Sequence, residues 1–470
     1  MNVLLISTYE LGRQPFGLAS PAAWLRAAGI SVTCLDLSRE PLGESAVRQA
    51  EFIAFYIPMH TATRLAVRVL PQVRRLNPNA HLCFYGLYAP VNEDYLRGLG
   101  AGTILGGEFE EALLEAVRRE SERRLAPGRG ENDGTKAPQP RTGGARQPKP
   151  ALPRLEFIAP DRSGLPPLSR YARLEHPDGT GRVTGYTEAS RGCKHLCRHC
   201  PVVPVYQGRF RIVQPQVVLE DVRRQVAAGA QHITFGDPDF FNGIRHALAI
   251  VTALHGEHPA LTYDVTIKVE HLLKHAAHLS TLRETGCLFV TTAVESLDDR
   301  ILERLQKGHT RADFLRVADL FRKGGLHLSP TLVAFTPWVS LGGYCEMLDE
   351  IEALGLVENL APVQLGIRLL IPAGSRLLEL EDVQRLVGEF NEAELVYPWK
   401  HPDPRVDELY AKVQDTIQLG IQNKEPRRAI FSSVREAARK MAGLSATRFS
   451  ALPILASRAS IPYLTEPWYC

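Results

Sequence analysis

The sequence predicts an α/β fold: a doubly wound parallel sheet, then a partial (β/α)6 barrel, then a mainly helical C-terminal extension. Short apolar runs alternate with helical patterns over residues 1–119 and again between 182 and 375. A Gly/Pro-rich stretch without aromatics separates these two regions, and beyond 375 the apolar runs give way to helical periodicity.

In the first region the strand-like runs are 3–7, 31–37, 52–57, 81–85 and 103–105, with helical patterns at 19–28, 61–73 and 108–119. Apolar runs joined through helices imply a parallel sheet covered on both faces. Ligands of such sheets bind at the carboxyl ends of the strands. Residues 126–150 hold five Gly and five Pro and no aromatic, Ile or Val. Such a stretch cannot bury enough surface to offset chain entropy, so 120–152 is expected to be a disordered linker. Residues 118–150 carry a net charge of +5 within a chain of +3, which leaves −2 for the remainder. The basic balance therefore belongs to a solvated tether, and a nucleic-acid partner is not expected.

A second domain is expected over 153–375, with strands at 183–188, 232–236, 261–269, 288–295, 328–335 and 363–371 and helices between them. In barrels of this kind the active site lies at the C-terminal ends of the strands. The region 376–470 reads as helices at 380–389, 405–420 and 432–441, then an irregular tail.

With 470 residues, 44 % of them hydrophobic, the chain can bury several cores. No apolar run approaches the roughly 18 residues that a membrane helix needs. The start, Met1 to Ile6, lacks a basic segment and turns polar at Ser7, unlike a signal peptide. Eight cysteines, at 34, 83, 193, 197, 200, 287, 345 and 470, do not form the framework of a secreted disulfide protein. A reducing cytoplasm is the expected location.

Cys193, Cys197 and Cys200 lie on one loop after the first barrel strand, spaced Cys-x3-Cys-x2-Cys. Three thiolates at this spacing can converge on one [4Fe–4S] cluster and leave one iron open to a small molecule. Neighbouring Arg191, Lys194 and Arg198 favour thiolates and offset cluster charge. The alternative is a zinc site of Cys3His type completed by His195 or His199, in a non-catalytic interaction protein.

The loop Arg191-Gly192-Cys193-x3-Cys197-x2-Cys200 resembles the radical S-adenosylmethionine (SAM) superfamily. The resemblance covers about 182–375. It implies a [4Fe–4S] cluster on Cys193, Cys197 and Cys200, and SAM chelating the fourth iron. A reducing electron would cleave SAM to methionine and a 5′-deoxyadenosyl radical, supplied by a ferredoxin- or flavodoxin-type donor. Gly236 and Asp237, in the Gly-Asp-Pro-Asp turn after the second strand, resemble the segment that meets SAM's amino group; a helix-capping turn is the alternative. On the third strand, strict alternation turns Asp264, Thr266, Lys268 and Glu270 inward, with Lys268 and Glu270 facing SAM or pairing with each other. Glu295 and Ser296, followed by Lys307-Gly308-His309-Thr310, are similar to a pattern of superfamily members that carry an N-terminal cobalamin-type domain. Arg368, on the sixth strand, is a candidate partner for SAM's carboxylate or an inward acid, or half of a structural salt bridge.

The N-terminal sheet resembles a cobalamin-binding domain, with Gly106-Gly107-Glu108-Phe109-Glu110 in place of its Gly-Glu-Gly-Glu-type turn. The Asp-x-His-x-x-Gly signature that supplies an axial histidine is missing. The domain therefore either takes cobalamin without that ligand, which suggests methyl transfer, or is kept empty. A methylthiotransferase is the weaker reading, since this domain has only Cys34 and Cys83. The tail Pro467-Trp468-Tyr469-Cys470 resembles a subgroup ending in Cys-Cys or Cys-selenocysteine, Ala, Glu, Pro. That resemblance implies a reading frame that continues through a selenocysteine codon after Cys470; a plain exposed thiol is the alternative and the commoner case.

Overall fold

The structure is a computed structural model that describes residues 1–125, 152–445 and 458–466. Most of the expected linker, and Cys470 with its expected continuation, lie outside these residues. The chain divides into two units, Met1–Glu10 with Pro15–Leu165, and Leu11–Gln14 with Pro166–Cys470.

The first unit is a five-stranded parallel sheet of β1 (Asn2–Ser7), β2 (Ser31–Asp36), β3 (Phe52–Tyr56), β4 (His81–Tyr85) and β5 (Thr103–Leu105). Its spatial order is β2-β1-β3-β4-β5, a doubly wound arrangement in which the order of strand addition reverses between β1 and β3. Alternate residues feed two cores, as the period of a strand requires. Leu4, Ile6, Ile53, Phe55, Leu82 and Phe84 pack with Ala66, Leu70 and Val73 of helix His60–Leu76. Val3, Leu5, Phe52, Ala54, Cys83 and Tyr85 pack on the other side with Leu18, Leu25 and Leu113. The helix Glu110–Leu125 runs past residue 120, where the linker was expected to begin. Its last turn is fixed by Glu120, which accepts from Arg123 and Arg124, and by Arg124 Nη2 donating to Asn79 O at 2.8 Å. Residues up to Leu165 also belong to this unit: Asp161 pairs with Arg26 at 2.9 Å.

The second unit contains β6 (Arg173–Glu175), β7 (Gly181–Thr187), β8 (Ser190–Gly192), β9 (Phe210–Ile212), β10 (His232–Phe235), β11 (Thr262–Thr266), β12 (Cys287–Glu295), β13 (His327–Leu332) and β14 (Tyr463–Leu464). Strands β7, β10, β11, β12 and β13 are parallel neighbours in that order, a half-barrel extended beyond β7 by antiparallel β6 and β14. Helices Pro215–Ala227, Ile244–Glu257, Arg311–Gly324 and Leu341–Ala353 cover it. The C-terminal region is helical at Glu381–Leu386, Pro404–Gln422 and Arg427–Met441.

Two strand expectations change. The third strand stops at Thr266, because Lys268 turns the chain: its carbonyl accepts from Leu272 N at 2.9 Å and opens helix Val269–Lys274. Glu270 thus sits on a helix, not on the strand face shared with Asp264 and Thr266. The sixth strand reduces to a single parallel bridge between Phe335 and Arg368, preceded by a 3-10 turn at Pro362–Gly366. Pro362 fixes the backbone at that turn and brings no N–H to a ladder.

Candidate iron–sulfur and SAM site

Strands β8 and β9 form a small antiparallel ribbon that closes the base of the cysteine loop. At its corner Gly192 takes φ +77°, and a Cβ there would lie 2.3 Å from Cδ1 of Tyr206. The loop is latched on both sides. On the β10 side, Asp237 accepts from Ala189 N at 2.9 Å and from Ser190 Oγ at 2.6 Å. Asn242 accepts from Lys194 N at 3.3 Å and donates to Gly192 O at 3.4 Å. On the opposite side, Arg198 N donates to Leu305 O at 2.9 Å, and Arg376 Nη1 to Leu196 O at 2.8 Å. The spacing of the cysteines is therefore held by the segment after β10, the end of helix Asp299–Arg304 and Arg376, not by the loop alone.

Cys193, Cys197 and Cys200 are free thiols, the first two buried and the third half-buried. Burial pushes the Cys193 thiol up and the Cys200 thiol up to about 12. Positive charge converges on them. Lys268 Nζ lies 3.7 Å from Cys197 Sγ and donates to Lys307 O at 2.9 Å. Lys307 is 2 % exposed, and its Nζ is 3.2 Å from Glu295 Oε1. Burial opposes the charge of Lys307, yet Glu295 and the thiols hold it above its ordinary value. Burial likewise opposes the charge of Glu295, but Lys307 and His199, whose Nε2 is 3.1 Å away, hold it far below the usual carboxylate range. Glu295 adopts φ +67° at the end of β12, where the register with β13 shifts. A non-glycine residue in this region costs about 1–3 kcal/mol, and such strain gathers at functional sites.

The donor set fits an iron–sulfur centre. Three free thiols share one latched loop, Lys268 Nζ lies close enough to Cys197 Sγ to offset thiolate charge, and a bound metal removes thiol protons. Both ring nitrogens of His309 are buried without a hydrogen bond of good geometry. Burial, Lys307 and Lys268 push this ring down to about 4, so it is neutral at pH 7.

Of the residues expected from sequence, Lys268 and Glu295 join Cys197 through Lys307. Ser296 is buried beside Glu295, and its Oγ accepts from Asp298 N at 3.1 Å. Gly236 donates its N–H to Thr187 O at 2.8 Å, and a Cβ there would lie 1.7 Å from the Tyr186 hydroxyl. Asp237 is buried and pushed up to about 7 by that burial. Its carboxylate is spent on the loop, which makes it a positioning residue. Glu270 faces His195, Oε2 to Nδ1 at 3.5 Å, so the pairing with Lys268 is not formed. Arg368 is the clearest departure. It donates to Asp407 at 2.7 Å and to Trp399 O at 2.9 Å, and its guanidinium stacks 3.7 Å over the Trp399 ring. It holds the C-terminal helix and takes the structural role that was its alternative. Residues not singled out from sequence include His271 and the pairing roles of Lys307 and His199. The Lys-Gly-His-Thr run was the available signal for Lys307.

A half-barrel whose first strand feeds a latched three-cysteine loop, with charged strand ends around it, defines the class. The Radical SAM superfamily model matches residues 187–337, so this segment of the chain is similar to that superfamily. Among curated proteins, the tRNA-2-methylthio-N(6)-dimethylallyladenosine synthase of Desulfosudis oleivorans is 28 % identical over 189 residues, 38 % of this chain and 40 % of that protein. The ribosomal protein uS12 methylthiotransferase RimO of Bacteroides fragilis is 24 % identical over 190 residues, 37 % of this chain and 43 % of that protein. The chain thus spans about two fifths of the length of these relatives. Among solved structures, the cobalamin-dependent S-adenosylmethionine radical enzyme OxsB, with aqua-cobalamin and S-adenosylmethionine bound, matches with TM-score 0.68 at 13 % identity, covering 89 % of this chain and 67 % of that one. The radical S-adenosylmethionine methyltransferase TsrM from Kitasatospora setae matches with TM-score 0.59 at 17 % identity, covering 81 % and 76 %.

Proposed function

We propose that this chain is a radical SAM enzyme in which Cys193, Cys197 and Cys200 hold a [4Fe–4S] cluster. Held by these three thiolates, such a cluster would supply the electron for reductive cleavage of SAM to methionine and a 5′-deoxyadenosyl radical. The carrying observation is the set of three free thiols with Lys268 Nζ 3.7 Å from one of them. Lys268 and Lys307 offset thiolate charge. Glu295 presents a carboxylate held ionised at the end of β12, suited to ribose hydroxyls or to SAM's amino group. The turn at Gly236 and Asp237 latches the cysteine loop through Asp237, and its backbone is the segment we assign to SAM's amino group. A ferredoxin- or flavodoxin-type partner supplies the electron. A reducing cytoplasm suits the free thiols, and no described helix is long and apolar enough to cross a membrane.

For the first unit, the reading we favour is cobalamin binding with methyl transfer to an unactivated carbon or phosphorus, supported by the fold shared with OxsB and TsrM. His81 lies at the amino end of β4, bonded to Thr103 at 2.8 Å, away from the strand ends where ligands of such sheets bind. His60 opens helix His60–Leu76 after β3, on the ligand side of the sheet, but it too lies outside an Asp-x-His-x-x-Gly context, so binding without an axial histidine from the signature motif is expected. Methylthio transfer is disfavoured because Cys34 and Cys83 pack in the hydrophobic core of the sheet, where burial pushes the Cys34 thiol up to about 12.

The competing reading, a Cys3His zinc protein, needs a histidine beside the thiols. His199 Nε2 is committed to Glu295, whereas His195 remains close to Cys193. Incubating the anaerobically reconstituted chain with SAM and dithionite, and measuring 5′-deoxyadenosine, tests the proposal. Turnover supports it; a colourless protein that retains zinc and leaves SAM intact refutes it.

A further inference from the structure

We propose a second, mononuclear metal site beside the cysteine loop, built from His195, Asp239 and His271 and suited to a divalent transition-metal ion such as zinc. Asp239 is 0 % exposed and follows β10. Its Oδ2 lies 2.7 Å from His271 Nδ1 and 3.4 Å from His195 Nε2. None of these three buried atoms makes a hydrogen bond of good geometry. The rings are tilted by 60° with centroids 4.9 Å apart. The two edges from Asp239 Oδ2 to the ring nitrogens are of the length expected between ligands of an ion about 2.0–2.2 Å from nitrogen and oxygen.

The second polar atoms of Asp239 and His195 are already used in ways that free these lone pairs. Asp239 Oδ1 accepts from Phe241 N at 3.3 Å. Glu270 Oε2, 3.5 Å from His195 Nδ1, favours the tautomer with hydrogen on Nδ1 and a bare Nε2. A carboxylate behind a metal-binding histidine is the usual outer support of such ligands. Two imidazoles and one carboxylate select a borderline divalent ion, and three protein ligands leave a position open for water or substrate. Cys193 Sγ lies within 4.8 Å of the ligand atoms of His195 and Asp239. The site therefore borders the cluster, and His195 sits inside the Cys-x3-Cys interval. The inference rests on the proposed function only in reserving Cys193 for iron and leaving His271 to the second ion.

The test counts metals on the full chain, purified and reconstituted anaerobically and then dialysed against Zn2+. About one zinc per chain is expected beside the iron. Asp239→Asn with His271→Gln should lower zinc at least about tenfold and leave iron unchanged, and Glu270→Gln should weaken zinc binding roughly 10–100-fold. The variant Cys193→Ser/Cys197→Ser/Cys200→Ser, titrated with Zn2+ alone, should still bind one ion. Circular dichroism checks that each variant folds, and His195→Gln replaces any that does not. Absence of stoichiometric zinc, zinc that survives the Asp239/His271 change, or zinc lost with the thiols overturns the proposal. If wild type takes up no iron while the triple-cysteine variant still holds zinc, the iron–sulfur reading fails and this site stands.

Discussion

Replacing Lys307 by Met removes one partner of a buried ion pair and leaves the Glu295 carboxylate, 3.2 Å away, facing only His199. Both charged side chains are shielded, at 3 % and 11 % exposure, so water cannot compensate. Breaking such a pair from one side costs about 3–5 kcal/mol. At about 2–4 °C per kcal/mol the apo chain should melt roughly 6–20 °C lower. Removing both charges, as Lys307→Met with Glu295→Gln, should recover most of the loss. The pH dependence follows from the two shifts. Glu295 is depressed, so its contribution is complete above its unfolded value near 4.3 and is lost as pH falls through the native one. Lys307 is raised, so its contribution is complete below about 10.4 and is lost as pH rises through the native value. The deficit should thus be flat between about pH 5 and 10. Urea denaturation of the four chains of the double-mutant cycle measures it. A single-mutant cost below about 1 kcal/mol, or additive single costs, would refute the reasoning.

Three further outcomes are expected. Asp237→Asn should flatten the pH dependence of apo stability between about 4 and 7: Asp237 is raised to about 7 in the fold, so wild type loses stability as pH rises through that window. Chemical denaturation across that range checks it. Gly236→Ala puts a methyl 1.7 Å from the Tyr186 hydroxyl and should cost about 1–3 kcal/mol as an overpacking change, partly relieved by Tyr186→Leu in the same melting assay. Arg368→Ala should lower stability by about 1–2 kcal/mol through its lost stacking on Trp399 and its lost pair with Asp407, with the KM for SAM unchanged; a large rise in that KM would return Arg368 to the site.

Much of this was legible in the sequence where patterns are local. The five runs of the first unit are strands because their side chains feed two cores, and alternation records that directly. The three cysteines were readable because their spacing is itself the chemistry. What escaped depended on where the chain turns. Alternation through Glu270 looked like one strand, but Lys268 caps a helix, and this moved Glu270 from a lysine partner to His195. Arg368 looked like an inward charge because its run was apolar. Its partners Trp399 and Asp407 lie more than thirty residues on, and no local pattern signals them. Asp239 and His271 are likewise brought together only by packing of the helix after β11 against the end of β10.

The most direct measurement is iron per chain, with the visible spectrum, for the anaerobically reconstituted protein and for Cys193→Ala, Cys197→Ala and Cys200→Ala. The account predicts about four irons and a broad brown absorption in wild type, both lost in each single variant. A wild type without iron, or a variant that keeps the full complement, would contradict it.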